Sequence, residues 1–430
     1  MRYQIAAATR GAGSDVVKGT RTVIGEDRQM KRVVLALVLL VLAGAASLYV
    51  AETHRPGTRP KDLDARMQSI VANVVANDSA IKHCVLAVAK GDGTFRWAGA
   101  AGIASQQGML PMSAVTPIYI ASITKLYTAT IVMLLYEKGM LALDDPIAKF
   151  LPAQLIQGIN HYQGKDYTRA ITIADLLSHR SGIADYYEET AKDGKSLADW
   201  LQEKPERQWS VDQTIARARD ELPPHSTPGT DTFYSDTNFQ LLGKIVEVVT
   251  RKPLDFAYQD LLFRPLGLRH TWLIGHPGAD AAIPADVFRG DRNITRSRAN
   301  TAYWADGGIV ATAQDMLIFL QALNEGRIIH PETLALMHRW HSMEFPIQYG
   351  YGTMYVRPPG FVVTKILGFA PVWGHSGSTG SFLYFAPELD LYVSGTIDQT
   401  ASRIKPFVVM WRVMRAIEAA GSTRQDSGAD

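Results

Sequence analysis

Ser122 and Lys125 stand three residues apart in the stretch Tyr119-Ile120-Ala121-Ser122-Ile123-Thr124-Lys125. On a helix this spacing sets both side chains on one face, about 5–6 Å apart at Cβ. A hydroxyl beside an amine is one of the few ways a protein makes serine a nucleophile. The residues that follow (Leu126, Ala129, Ile131, Val132, Met133, Leu134, Leu135) are apolar on nearly every side, which is the pattern of a buried helix. Ser122 is therefore expected at the N-terminus of a central helix, where free N–H groups and the helix dipole favour developing negative charge.

The same Ser-x-x-Lys spacing occurs at Ser79/Lys82 and at Ser402/Lys405. Ser79 and Lys82 run straight into the apolar His83-Cys84-Val85-Leu86-Ala87-Val88, which reads as a buried strand, so these two side chains are not expected to share a helical face. Ser402 reads as the N-cap of the last helix, with Lys405 a solvated surface charge.

Two further stretches can carry chemistry. Gly229 to Asn238 is a turn, after Pro228, leading into a helix. Its tip can aim the Tyr234 phenol and the Asp236 carboxylate into a cleft, although Asp236 taken alone reads as an N-cap. Gly374-His375-Ser376-Gly377-Ser378-Thr379-Gly380-Ser381 opens a strand with glycines, which permits close backbone approach to a ligand. It lacks the Gly-Lys-Ser/Thr of a phosphate loop, and Ser378 breaks a Gly-x-Ser-x-Gly nucleophile elbow.

The elements that must position these groups are legible in outline. Residues 62–76 have helical spacing, and strands are expected at Cys84–Ala89 and Thr94–Ala101, joined by Gly91-Asp92-Gly93. Residues 147–300 read as a mostly helical lobe, with Thr172–His179 and Phe239–Arg251 the clearest helices. A helix is expected within Gly307–Asn324, and strands at Tyr349–Val356, Val372–Gly374, Ser381–Phe385 and Leu391–Ile397. A last amphipathic helix carries Phe407, Met410, Trp411, Met414 and Ile417. Strands at both ends with helices between them predict an α+β fold: a central antiparallel sheet built from N- and C-terminal strands, flanked by helices, with a mostly helical second lobe. The segments around Asp280–Arg298 and Arg357–Phe369 shape the pocket in ways the pattern does not define.

The chain has 430 residues, 47% of them hydrophobic, enough for a large core. A formal charge of +2 argues against a nucleic-acid partner. Cys84 is the one cysteine, which excludes an intrachain disulfide and a cysteine metal cluster. Residues 33–51 are uncharged and apolar, and at 1.5 Å each they span roughly 28 Å, close to a bilayer's hydrocarbon thickness. Arg28, Lys31 and Arg32 precede them, which predicts that this end stays cytoplasmic. The expected order is a leader over 1–32, cytoplasmic or a mis-annotated extension. A transmembrane anchor or signal sequence follows over 33–51, with Ala43-Gly44-Ala45 as a cleavage pattern if it is removed. A linker over 52–61 leads to a catalytic domain over 62–420, outside the cytoplasmic membrane or secreted, and a polar tail from 421 is expected to be disordered.

In order and context, Ser122/Lys125, Tyr234-Ser235-Asp236 and His375-Ser376-Gly377 resemble the motifs of the serine β-lactamase and penicillin-recognising D-Ala-D-Ala carboxypeptidase superfamily, in its class C-related branch, which also holds esterases. Connecting text is similar too: Leu176 to Gly182, Pro228-Gly229, Pro265-Leu266-Gly267-Leu268 and Gly307 to Thr312. The resemblance covers about residues 62–418. It implies a β-lactamase/transpeptidase-like fold and acyl transfer through Ser122, with Lys125 and Tyr234 sharing the base role and Tyr234 activating the deacylating water. It also implies an oxyanion hole from the Ser122 and Ser378 amides, substrate contacts from Asp236, His375, Gly377 and Ser378, and no metal or other cofactor. Burial beside the apolar helix is expected to lower the Lys125 pKa.

Two positions depart from the branch's pattern. Asp236 stands where asparagine is usual and, when ionised, cannot donate a hydrogen bond. His375 in place of lysine makes any contact with a substrate carboxylate pH-dependent. The implied activity is D,D-carboxypeptidase-like or β-lactamase-like amide hydrolysis of a small-molecule or peptide substrate. The alternatives are a carboxylesterase of the same fold and a catalytically inactive peptidoglycan-binding sensor.

Overall fold

The segment His83–Lys90 alternates its side chains between two apolar clusters. Val85, Ala87 and Ala89 enter one, and Cys84, Leu86 and Val88 the other. A strand covered on both faces reads as a continuous hydrophobic run, which is why this one stands out in the sequence. The structure is a computed structural model describing residues 62–276, 282–295, 297–358 and 369–426. The expected anchor at 33–51 lies outside the described residues. Among those described, no helix is long and apolar enough to cross a membrane.

The chain order begins with helix α1 (Leu63–Ala76), then β1 (His83–Lys90), β2 (Arg96–Ser105), β3 (Leu110–Pro111) and β4 (Ile118–Tyr119), followed by helix α2 (Thr124–Glu137). After short helices and a small hairpin come α3 (Asp236–Thr250) and β5 (Trp272–Leu273), then a second small hairpin, β6 (Ile309–Ala311) and α4 (Ala313–Asn324). The chain closes with β7 (His341–Glu344), β8 (Ile347–Tyr349), β9 (Met354–Val356), β10 (Val372–Ser376), β11 (Ser381–Ala386), β12 (Leu391–Thr396) and helix α5 (Lys405–Asp426).

Nine strands form one antiparallel sheet in the order β7-β8-β9-β10-β11-β12-β1-β2-β3. The N-terminal β1 lies beside the C-terminal β12, with Leu86 opposite Gly395, so the sheet is built from both ends of the chain. Helices α1 and α5 cover the face lined by Leu86, Val393 and Phe382. Helices α2 and α4 share the other cluster, with Val85, Leu383 and Tyr392. The stretch 147–300 supplies mostly short helices, with the hairpins His161–Asp166 and Phe288–Asn293 among them.

Several elements differ from their expected form. The stretch Gly307–Asn324 holds strand β6 before helix α4, because Ile309 and Val310 pair with β5, and Val310 and Ala311 with β4. Thr312 then caps the helix by accepting from the Asp315 amide at 3.1 Å. Tyr349–Val356 is two strands around a turn, closed by Gly350 N–H donating to Thr353 O at 2.9 Å. The Thr172–His179 helix is short, Ile173–Leu177, started by a capping box between Thr172 and Asp175. Ser402 caps nothing: α5 begins at Lys405, which pairs with Asp78 rather than standing free. That helix continues through Asp426, into the tail expected to be disordered.

Candidate active site

Ser122 sits where β4 gives way to α2. Ala121 before it adopts φ 47°, the left-handed region that costs a non-glycine residue roughly 1–2 kcal/mol. The turn is held there from outside. Thr379 Oγ1 donates to Tyr119 O at 2.8 Å and Ser381 Oγ donates to Ile120 O at 2.8 Å, tying it to the loop between β10 and β11. Gly377 lies so close that a Cβ would stand 2.3 Å from Ile120 O and 2.1 Å from Ser381 Oγ. Backbone strain maintained by neighbours is characteristic of functional positions. Ser122 itself is the middle residue of a single 3-10 turn, Ala121–Ile123, and α2 follows from Thr124.

Lys125, fully buried on that helix, brings Nζ to 3.2 Å from Ser122 Oγ. The same nitrogen donates to Asp306 O at 2.8 Å and pairs with the Asp236 carboxylate. Below it, Gly352 takes φ +65° against α2, 2.2 Å from the Ala129 Cβ by its own virtual Cβ, so the packing there admits no side chain. The Tyr234 phenol stands beside Ser122 and Lys125, near enough to Ser122 for the serine to influence its ionisation. Its ring packs 4.3 Å from the His179 ring and 5.0 Å from Lys125 Nζ. Burial first, then the negative charge of Asp236, lift the Tyr234 hydroxyl well above its ordinary pKa, against the influence of Ser122.

Asp236 is the first residue of α3 rather than its cap, which is Ser235. Its carboxylate points at Lys125, and its amide donates to Asp185 Oδ1 at 2.8 Å. Sequence reasoning placed Asp236 against the substrate; the structure puts its charge on the lysine. The expected fall of the Lys125 pKa is also reversed. Burial lowers it, but the carboxylates of Asp236 and Asp306 outweigh burial and raise it.

His375 is the other correction. The imidazole is wholly buried on β10 and both its nitrogens are used, with Nδ1–H donating to Ser376 O at 2.7 Å and Nε2 accepting from Tyr349 OH at 3.0 Å. Burial, helped by the charge of Lys125, pushes its pKa down to about 3, so the ring is neutral. It therefore offers no pH-dependent contact to a substrate carboxylate; it props Tyr349 beneath the site. Ser378, by contrast, is exposed on the turn after Gly377, and both residues line the cleft with Ser122, Tyr234 and Asp236.

That cleft has a volume of about 1310 Å³. Three residues in its wall or beneath it were missed by sequence reasoning. Asp185 and Asp306 line it, almost fully buried. Burial and the charge of Asp236 raise both their pKa values, Asp306 to about 6. Tyr186 OH donates to Asp306 Oδ2 at 2.7 Å. The third is His179, whose Nδ1 accepts from Ser235 N and Asn238 Nδ2, both at 3.1 Å. Burial and Lys125 lower its pKa well below the usual range, so it is a neutral platform for Tyr234. No motif spacing marks these residues, because they converge only through the fold. Among the described residues, no group of histidines, cysteines or carboxylates is arranged to hold a metal ion.

The arrangement sets a serine hydroxyl within proton-transfer distance of an amine, with a phenol beside it. Known proteins share the framework that builds it. The family profile described as Beta-lactamase matches residues 67–403. Penicillin-binding protein 4 of Amycolatopsis lactamdurans is 35% identical over 151 residues, 35% of this chain and 34% of that protein. A provisionally assigned D-alanyl-D-alanine carboxypeptidase of Escherichia coli strain K12 is 36% identical over 155 residues, 35% of this chain and 32% of that protein. The chain thus spans about a third of the length of these curated relatives. A solved D-stereospecific amidohydrolase from a Streptomyces species superposes with a TM-score of 0.66 at 27% identity, covering 80% of this chain and 97% of that one. With its sheet and most of its length accounted for by one profile, the chain belongs to the Beta-lactamase family.

Proposed function

We propose that the protein is a serine hydrolase that cleaves amides through an acyl-enzyme on Ser122. The observation that carries this reading is Lys125 Nζ at 3.2 Å from Ser122 Oγ, with the Tyr234 ring 5.0 Å from the same nitrogen. Oγ attacks the substrate carbonyl while its proton passes to the Lys125–Tyr234 pair, which titrates as a unit. The tetrahedral oxyanion is received by the amides of Ser122 and Ser378, where one such donor is worth about 2.7–4 kcal/mol. The proton returns to the departing amine, and a water activated by Tyr234 releases the acyl group.

Neutral, buried His375 is no anchor for a substrate carboxylate. This favours amide or ester substrates recognised by other groups over a strict D,D-carboxypeptidase requirement, and the D-stereospecific amidohydrolase neighbour fits that preference. Turnover of a D-amino acid amide, a D-Ala-D-Ala peptide, nitrocefin and a short p-nitrophenyl ester separates the possibilities. Amide cleavage is expected to lead; cleavage of the ester alone would make the protein an esterase.

A second reading, a non-catalytic binding or sensor protein, is favoured by one feature: the ion pair that occupies Lys125. Covalent labelling by a fluorescent penicillin or fluorophosphonate decides between them, and absence of labelling across the pH range removes the hydrolase reading. The apolar residues 33–51 support action outside the cytoplasm, at the membrane or secreted. Fractionation with mass analysis tests that, and a soluble cytoplasmic chain of full mass would refute it.

A further inference from the structure

The Lys125 side chain carries more partners than serine activation requires. An ammonium has three donors and no lone pair. Here two of those donors go to Ser122 Oγ and Asp306 O, and the Asp236 carboxylate stands against the same nitrogen as an ion pair. In that state Nζ donates to Ser122 and cannot take its proton.

The groups facing this nitrogen come from every side. Ser122 lies in the 3-10 turn just before its helix, and Asp236 opens α3 with Asp185 behind it, bonded to the Asp236 amide at 2.8 Å. Asp306 precedes β6 and holds Tyr186. Tyr234, Tyr349, His179 and His375 complete the wall, both histidines kept neutral by burial. Among the described residues, the negative side chain in direct contact with Nζ is Asp236, the position where the family pattern has a neutral amide.

We propose that Asp236 is a positioning residue acting through Lys125: its carboxylate holds Nζ as a paired ammonium, so that Ser122 is activated only after that pair yields a proton. This rests on Ser122 being the nucleophile. One N–H proton leaves Lys125 for solvent water in the cleft, which leaves a neutral amine with a free lone pair. That lone pair takes the Ser122 Oγ proton as the Oγ–carbonyl bond forms, restoring the ammonium. Removing the carboxylate removes the charge that retains the first proton, so the rate rises at lower pH. The direction agrees with the elevated affinity of Lys125 for its proton.

The test is the pH dependence of the second-order acylation rate by a fluorophosphonate in the wild type, Asp236→Asn and Asp236→Glu. In Asp236→Asn the rising limb is expected to move by at least one unit toward acid, about tenfold in rate on that limb. Asp236→Glu, which keeps the charge, is expected to retain the wild-type limb. A merely structural role lowers the rate without moving the limb. A limb that stays in place, or a rate lower at every pH in folded Asp236→Asn, overturns the proposal. Should that variant not fold, the ¹⁵Nζ resonance of Lys125 in the wild type at pH 7 decides: an ammonium shift supports the proposal and a neutral amine overturns it. Labelling that persists in Ser122→Ala would instead show that the nucleophile assignment has failed.

Discussion

Two stretches of this molecule carry the same residues at the same spacing and do different things. Ser122 and Lys125 lie where a strained turn enters a buried helix, and Nζ reaches Oγ. Ser79 and Lys82 lie in the turn before β1. There Lys82 Nζ donates to the Ser79 main-chain oxygen at 2.6 Å and pairs with exposed Asp291, while the serine hydroxyl is left to solvent chemistry. Spacing alone makes no site. A helix brings residues three apart onto one face, and burial removes the water that would otherwise compete for both groups.

The comparison can be broken most sharply at the serines. Ser122→Ala is expected to abolish turnover, a loss on the order of 10⁶-fold, and to end labelling, whereas Ser79→Ala and Ser402→Ala label as the wild type does. Labelling retained in Ser122→Ala and lost in Ser79→Ala would reverse the roles given to the two stretches. The lysines come next. Lys125→Met leaves Asp236 unpaired in a nearly buried site, which costs about 3–5 kcal/mol; Lys82→Met breaks an exposed pair worth about 0.2–1 kcal/mol. Urea denaturation measures both, and equal effects would show that burial does not separate the two pairs.

Gly377→Ala sharpens the same contrast from outside α2, because the strained turn before Ser122 depends on this close approach. Overpacking by one methyl is expected to cost about 1–3 kcal/mol and to lower acylation. An unchanged acylation rate would mean that the turn needs no support from that loop. The last effect is on pH. Unfolded, His375 titrates near the ordinary imidazole pKa; in the native state its pKa lies near 3. Between those limits the unfolded chain binds the extra proton, so this residue's contribution to stability falls as pH falls from about 6.5 toward 3. His375→Gln is expected to flatten that part of the stability–pH curve, and a curve of unchanged slope would show the imidazole to be protonated in the native state.

Much of the framework was legible because it rests on local periodicity. The apolar run of β1, the greasy α2 and the strands near the C-terminus announce themselves by which faces they bury. Gly307–Asn324 was less legible, since a short strand and the helix after it are both apolar and only pairing with β4 and β5 distinguishes them. In the site, Ser122, Lys125 and Tyr234 were found from motif order. Asp185, Asp306 and His179 were not, because nothing in their spacing encodes that they surround one nitrogen.

The amino-acid sequence by itself determined the chemistry on offer: a hydroxyl and an amine one helical turn apart, a phenol on a later loop, and glycines where backbones must touch. Only the tertiary structure decided the charge that chemistry works under. Protonation depends on every neighbour within a few ångströms, and those neighbours come from segments far apart in the chain. Two carboxylates, Asp236 and Asp306, gather around a lysine that composition would leave to burial alone, and an imidazole that residue type would make a switch is sealed beneath the cleft as a neutral prop.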